Sequence, residues 1–194
     1  PWFHGLWMYD WADYHLAGLG IDTNAHTITT TTIPQFGVRG GQPYYAYNLL
    51  EEITQPGEWY LNRQTGVLYF WPPAPLAGAD IRVSLLEVPL WSQVNTTGIV
   101  VRDVVFDMGR TTLVTIEGGM GNRLLNCTLR NAGAWACRVS GVSNGLSGCE
   151  IADPGDGGVS LGGGNRAALV PCRNFVRSSR IHGFGRWSWT YQPA

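Results

Sequence analysis

The sequence predicts an all-β protein whose second half is a solenoid of stacked parallel strands, and three observations carry that prediction. Apolar residues recur in columns. Phe106, Leu129, Ile151 and Ile181 stand 23, 22 and 30 residues apart, and Val104, Cys127, Cys149 and Ser179 repeat those spacings. Ile116, Val139 and Leu161 form a third column. Self-similarity near 22 residues marks repeats that each add one layer to a shared core. Each repeat also holds a β-rich run, a bend bearing Gly or Asn, and a second β-rich run, with no useful helical periodicity. Finally, charged residues are 14% while the chain holds 26 Gly and 9 Trp. That balance suits a bend-rich β protein and argues against disorder.

Taken in order, residues 1–90 read as a β-rich region and residues 91–194 as solenoid rungs that continue past the stretch in hand. Residues 1–20 are dense in aromatics (Trp2, Phe3, Trp7, Tyr9, Trp11, Tyr14), with Asp10, Asp13, His4 and His15 between them. Such rings serve either as sugar-stacking platforms or as an aromatic mini-core covering an end or flank of the solenoid, and the mini-core is preferred. Too much unpatterned sequence separates His4 from His15 to read them as a metal pair. The Thr-rich run at 27–32 has strong β propensity. Asn48–Ile53 fits a short helical turn or a strand. Residues 58–71 read as a hairpin, with Gly66 supplying the left-handed position. Ala79–Leu90 is expected to hold one or two further strands, including Ile81–Leu86. Between Leu161 and Asn174 the longer spacing predicts a loop bulging from the repeat.

A net charge of −1 gives no electrostatic case for nucleic acid or an anionic membrane. No apolar run reaches membrane-spanning length. Cys127, Cys137, Cys149 and Cys172 make no CxxC pair and no zinc-type spacing, and are expected as free thiols acting as small apolar residues. No metal and no cofactor is expected. The chain opens at Pro1 without Met and ends at Ala194 just after an aromatic cluster. The expectation is an internal piece of a longer protein, inactive in isolation.

Three segments carry a resemblance: Pro56 to Pro73 (PGEWYLNRQTGVLYFWPP), Gly157 to Gly164 (GGVSLGGG), and His182 to Trp187 (HGFGRW) with Thr190-Tyr191. Together they resemble bacterial right-handed parallel β-helix repeat proteins of the pectate-lyase-like superfamily. The likeness implies a right-handed parallel β-helix in an exported, secreted or periplasmic, carbohydrate-active protein. Members closest to this pattern look like glycoside hydrolases of the fucosidase/xylanase type. Where relatives often carry Gly-Gly-Asp-Arg, this chain has Gly163-Gly164-Asn165-Arg166, and Asn165 cannot act as an acid or base.

The expected partner is therefore a polysaccharide or oligosaccharide. Glycoside hydrolysis needs two carboxyl groups across the scissile bond. The compact pair is Asp153 and Asp156, three residues apart at a bend; Asp, Pro and Gly are also simply what a tight bend requires. His182 joins them as a third candidate for catalysis. Arg166, Arg186, Trp187 and Tyr191 are candidates for holding substrate, the arginines through uronates or hydroxyls and the rings by stacking. Asp107 shares a column with Arg130, which predicts an ion pair. Asn126 reads as a structural ladder residue. A lyase on the same scaffold would need a basic site. Arg102, Arg138 and Arg177 are its candidates, read as lying in different columns. A non-catalytic carbohydrate-binding β-helix is the third reading.

Overall fold

The computed structural model describes residues 1–194, which form two compact units, Pro1–Ile81 and Arg82–Ala194. In the first, β1 (Trp2–Gly5), β2 (Tyr14–Asp22), β3 (Thr27–Thr30) and β4 (Tyr44–Tyr47) make an antiparallel sheet in the order β3-β2-β1-β4. Strand β1 is central. Phe3 faces Leu16 on one side and Ala46 on the other, and His4 faces His15 and Tyr45. Phe3 is buried, whereas Tyr9 and Trp11 stack on one another at the surface. The mini-core thus takes only some of the aromatics.

A single 3-10 turn, Leu50–Glu52, resolves the ambiguous Asn48–Ile53 stretch. The hairpin β5 (Trp59–Leu61) and β6 (Leu68–Phe70) pairs Trp59 with Phe70. Asn62 Oδ1 accepts the backbone amides of Gln64 and Thr65, and Gly66 takes φ +73°. The strands expected within Ala79–Leu90 do not form. Ile81, Val83 and Leu85 are exposed and pair with no neighbouring strand, so their β propensity has no ladder to join.

The second unit is a parallel β-solenoid with three faces, each four strands deep. The first face stacks β7 (Trp91–Val94), β10 (Val114–Glu117), β13 (Cys137–Val139) and β16 (Val159–Leu161). The second stacks β8 (Val100–Arg102), β11 (Arg123–Leu125), β14 (Gly145–Ser147) and β17 (Phe175–Arg177). The third stacks β9 (Val105–Asp107), β12 (Thr128–Arg130), β15 (Glu150–Ala152) and β18 (Arg180–His182). The register reproduces the sequence columns: Phe106, Leu129, Ile151 and Ile181 align, as do Ile116, Val139 and Leu161. Leu113, Val114, Leu124, Leu129, Leu146 and Ile151 are fully buried between the faces. All four cysteines are free, three of them buried. Burial pushes the Cys137 and Cys149 thiols up, which keeps them protonated and inert.

Bends between faces are built by position rather than by identity. Asp103, Asn126, Gly148 and Ser178 occupy one left-handed column, and Met108, Asn131, Asp153 and Gly183 another. Left-handed backbone costs Gly nothing and Asn or Asp little, which explains the recurrence of those types. Asn126 sits in such a bend, while the hydrogen-bonded ladder runs elsewhere. Ile99 N donates to Asn122 Oδ1, Asn122 N to Asn144 Oδ1 and Asn144 N to Asn174 Oδ1, at 3.1, 2.8 and 2.9 Å. The 162–173 segment forms the expected loop, pinned by an Asn165–Val170 bridge.

Candidate functional site

The bend at Asp153–Asp156 is crossed by the chain one layer on. Asp153 N donates to His182 O at 3.1 Å, Gly185 N to Asp156 O at 2.7 Å, and Trp187 N to Gly155 O at 2.6 Å. Asp153 is half-buried with φ +54°, and a methyl group on Gly183 would lie 2.3 Å from its Oδ1. Its carboxylate therefore covers the glycine above. Asp156 Oδ1 accepts the Ser188 hydroxyl at 2.8 Å. His182 Nε2 meets Glu150 Oε1 at 2.7 Å, and Arg180 approaches the same oxygen at 3.6 Å. Glu150 is a residue that sequence reasoning missed; the signal was its column, since Glu150 faces Arg180 and Ala152 faces His182.

Of the other candidates, Arg186, Trp187 and Tyr191 are exposed in the segment that follows β18. Arg166 stands on the exposed 162–173 loop, and no hydrogen bond or ion pair joins it to the bend. The expected Asp107–Arg130 ion pair is present at 2.7 Å, with Asn131 Nδ2 donating to the other oxygen. The Arg130 guanidinium, then Asn131, holds the Asp107 carboxyl below its usual range.

A second feature lies on the outer side of the second face. Strand alternation turns Leu124, Leu146 and Val176 inward and Arg123 and Arg177 outward. Arg102, Leu125, Ser147 and Arg177 share a column, which corrects the reading that Arg102 and Arg177 lie in different ones. Arg138 does lie apart, on β13. The match is at the same 23-, 22- and 30-residue spacings as the apolar columns and was hidden by unlike residues, because Leu125 and Ser147 stand between the two arginines. Arg123, Arg173 and Arg177 line a groove of about 390 Å³ with Ser143, Ser147 and Phe175. Gly145 pairs in register with Phe175. A methyl group there would meet Phe175 O at 2.1 Å and the Phe175 ring at 2.8 Å, so only glycine lets the ring fold down. The Arg177 guanidinium sits 4.6 Å from the centre of that ring. None of the three arginines has a carboxylate within ion-pair distance, unlike Arg102, which Asp103 holds at 2.8 Å.

A third cluster occupies the N-terminal sheet. His4 and His15, directly opposed across β1 and β2, stack with ring centres 3.7 Å apart and planes 14° from parallel. His4 Nε2 meets Asp13 Oδ2 at 2.7 Å and His4 Nδ1 meets Tyr45 Oη at 3.0 Å. His15 Nδ1 meets Tyr47 Oη at 3.1 Å. The His4 side chain is fully buried and that of Asp13 nearly so. Burial, then the charge of Asp13, raises the Tyr45 phenol; burial, then Tyr45, pushes Tyr47 up to about 12 against a smaller opposing effect of Arg63. Both phenols therefore stay protonated at neutral pH. The spacing of His4 and His15 gave no reason to pair them; the chain between them folds β2 back onto β1 and sets the two side by side in register.

No helix of the protein is long and apolar enough to cross a membrane. No family model matches the chain, and no curated protein and no solved structure matches it.

Proposed function

We propose that this chain is a carbohydrate-active β-solenoid that holds an acidic polysaccharide along its second face. The observation that carries this reading is the arginine groove. Three arginines without carboxylate partners line one cleft together with Phe175. Arg123 and Arg177 lie two layers apart and two residues out of register, a separation of about 12 Å at the ~4.8 Å strand spacing and ~3.3 Å rise per residue, a little over the span of two sugar units. Guanidinium pairs with a carboxylate through parallel hydrogen bonds, and a ring face stacks on the apolar side of a pyranose. The groove residues favour binding over elimination, because an arginine stays charged and cannot accept a proton.

The test is affinity for polygalacturonate, followed by depletion or calorimetry. Binding is expected to weaken as salt rises, because exposed charges are screened. The Arg123→Ala/Arg177→Ala double substitution is expected to weaken it by about tenfold or more, since hydrogen bonds to charged groups contribute roughly 1.5–3 kcal/mol each. Equal affinity in the double variant, or a preference for a neutral glycan or single-stranded DNA, would sink the reading.

Glycoside hydrolysis at the Asp153–Asp156 bend is the second reading. The observation favouring it is the grouping of two half-buried carboxylates with the Glu150–His182 pair on the adjoining strands. Asp153→Asn and Asp156→Asn are expected to abolish release of reducing ends from a cleaved glycan. Unchanged release in both removes them from the chemistry.

A further inference from the structure

Two imidazoles, a nearly buried carboxylate and two phenols meet in the N-terminal sheet, and the arginine groove makes no use of them. The ligand atoms of His4, Asp13 and His15 all lie within 4.8 Å of one another. A tetrahedral ion at ~2.0–2.1 Å from each needs them about 3.4 Å apart. The triad must therefore close by about 1.4 Å at most. Parallel rings do not aim two lone pairs at one ion, so one ring has to tilt. His4 is fully buried, whereas His15 is half-buried, so the tilt falls to His15.

We propose that His4, Asp13 and His15 form a binding site for a divalent transition ion of the zinc class, with Tyr45 and Tyr47 as outer partners of the two imidazoles. Two imidazole nitrogens and one carboxylate oxygen are a donor set that zinc accepts while keeping a further position for water. The tyrosines suit the role. Each hydroxyl contacts an Nδ1, and His4 turns its Nε2 to Asp13. A phenol both donates and accepts, so it tolerates either tautomer. Once metal holds Nε2, Nδ1 carries the proton and donates to the phenol oxygen, the usual second contact of a metal-bound histidine. A neutral His4 keeps its single proton, which moves from the Nε2 that faces Asp13 to Nδ1 as the ion takes its place.

The experiment uses the full chain without an affinity tag, stripped with chelator and dialysed against Zn²⁺ or Co²⁺. One equivalent of Zn²⁺ is expected, with visible absorption bands for Co²⁺ and a rise in melting temperature of about 5 °C or more at saturating metal. His15→Ala, at a half-buried position, is expected to fold with an unchanged far-ultraviolet spectrum and lose all three signals. Asp13→Asn is expected to weaken binding at least tenfold. His26→Ala, remote in register and exposed, is expected to retain it. Arg177→Ala is also expected to bind metal normally, which separates this site from the groove. Absence of stoichiometric metal in the wild-type chain, or binding unchanged in His15→Ala, overturns the proposal.

Discussion

The solenoid and the N-terminal sheet bring residues together by different rules. In the solenoid a residue meets the one a repeat away, so like stacks on like: Leu129 on Ile151, Asn122 on Asn144, Gly118 beside Gly141. In the antiparallel sheet a residue meets its mirror image about a turn, and His4 meets His15 as Phe3 meets Leu16. The first rule repeats one interaction along a column and spreads stability over many equivalent contacts. The second brings unlike, distant residues together once. A site of mixed chemistry therefore arises easily in the sheet, whereas the solenoid favours arrays such as the arginine face.

The largest effect that would sharpen this contrast is expected at Asn144. Its Oδ1 accepts from Asn122, and its Nδ2 donates to Gly118 O and Ser140 O at 3.0 and 2.7 Å. Asn144→Ala strands those buried groups and is expected to cost roughly 3–5 kcal/mol in denaturant unfolding. Asn174, half-buried at the next position of the ladder, should cost less on the same change. Equal costs would show that the ladder is not the unit of stability.

Two glycines test whether bends depend on conformation or on space. Gly119 and Gly121 both take positive φ, +64° and +71°. A methyl group on Gly119 would lie 1.9 Å from Thr96 O, whereas one on Gly121 meets nothing. Gly119→Ala is expected to destabilise by roughly 2–4 kcal/mol and Gly121→Ala by only about 1 kcal/mol, the cost of left-handed backbone alone. Thermal melts of the two variants check this, and similar shifts would break the argument.

The smallest effect is expected in the sheet, and it depends on pH. Tyr47 is raised from its ordinary value to about 12. Its phenol is favoured in the folded state, so its contribution is complete below about pH 10 and is lost as pH rises toward 12. Absorbance of tyrosinate at alkaline pH should reveal a fraction that ionises late, absent in Tyr47→Phe. If no late fraction appears, the hydroxyl is more solvated than its contact with His15 implies.

The parallel rule explains what was legible beforehand. Three apolar columns, the loop after Leu161 and the Asp107–Arg130 pair could be read because translation by one repeat needs only counting. Arg102 and Arg177 stand at the same spacings but escaped because Leu125 and Ser147, unlike residues, fill the column between them. Glu150 lay in a readable column, opposite Arg180. The Ala79–Leu90 segment misled because β propensity says nothing about whether a partner strand exists.

By itself the sequence determined the all-β class, the solenoid and its layers, because a period in hydrophobicity is also the period of the stacking. Tertiary structure alone decided that Phe175 folds over Gly145 between arginines, since that depends on a ring's direction. It alone decided that His4, Asp13 and His15 meet, because an antiparallel register is set by where the chain turns, and the sequence between them carries no repeat from which that turn can be counted.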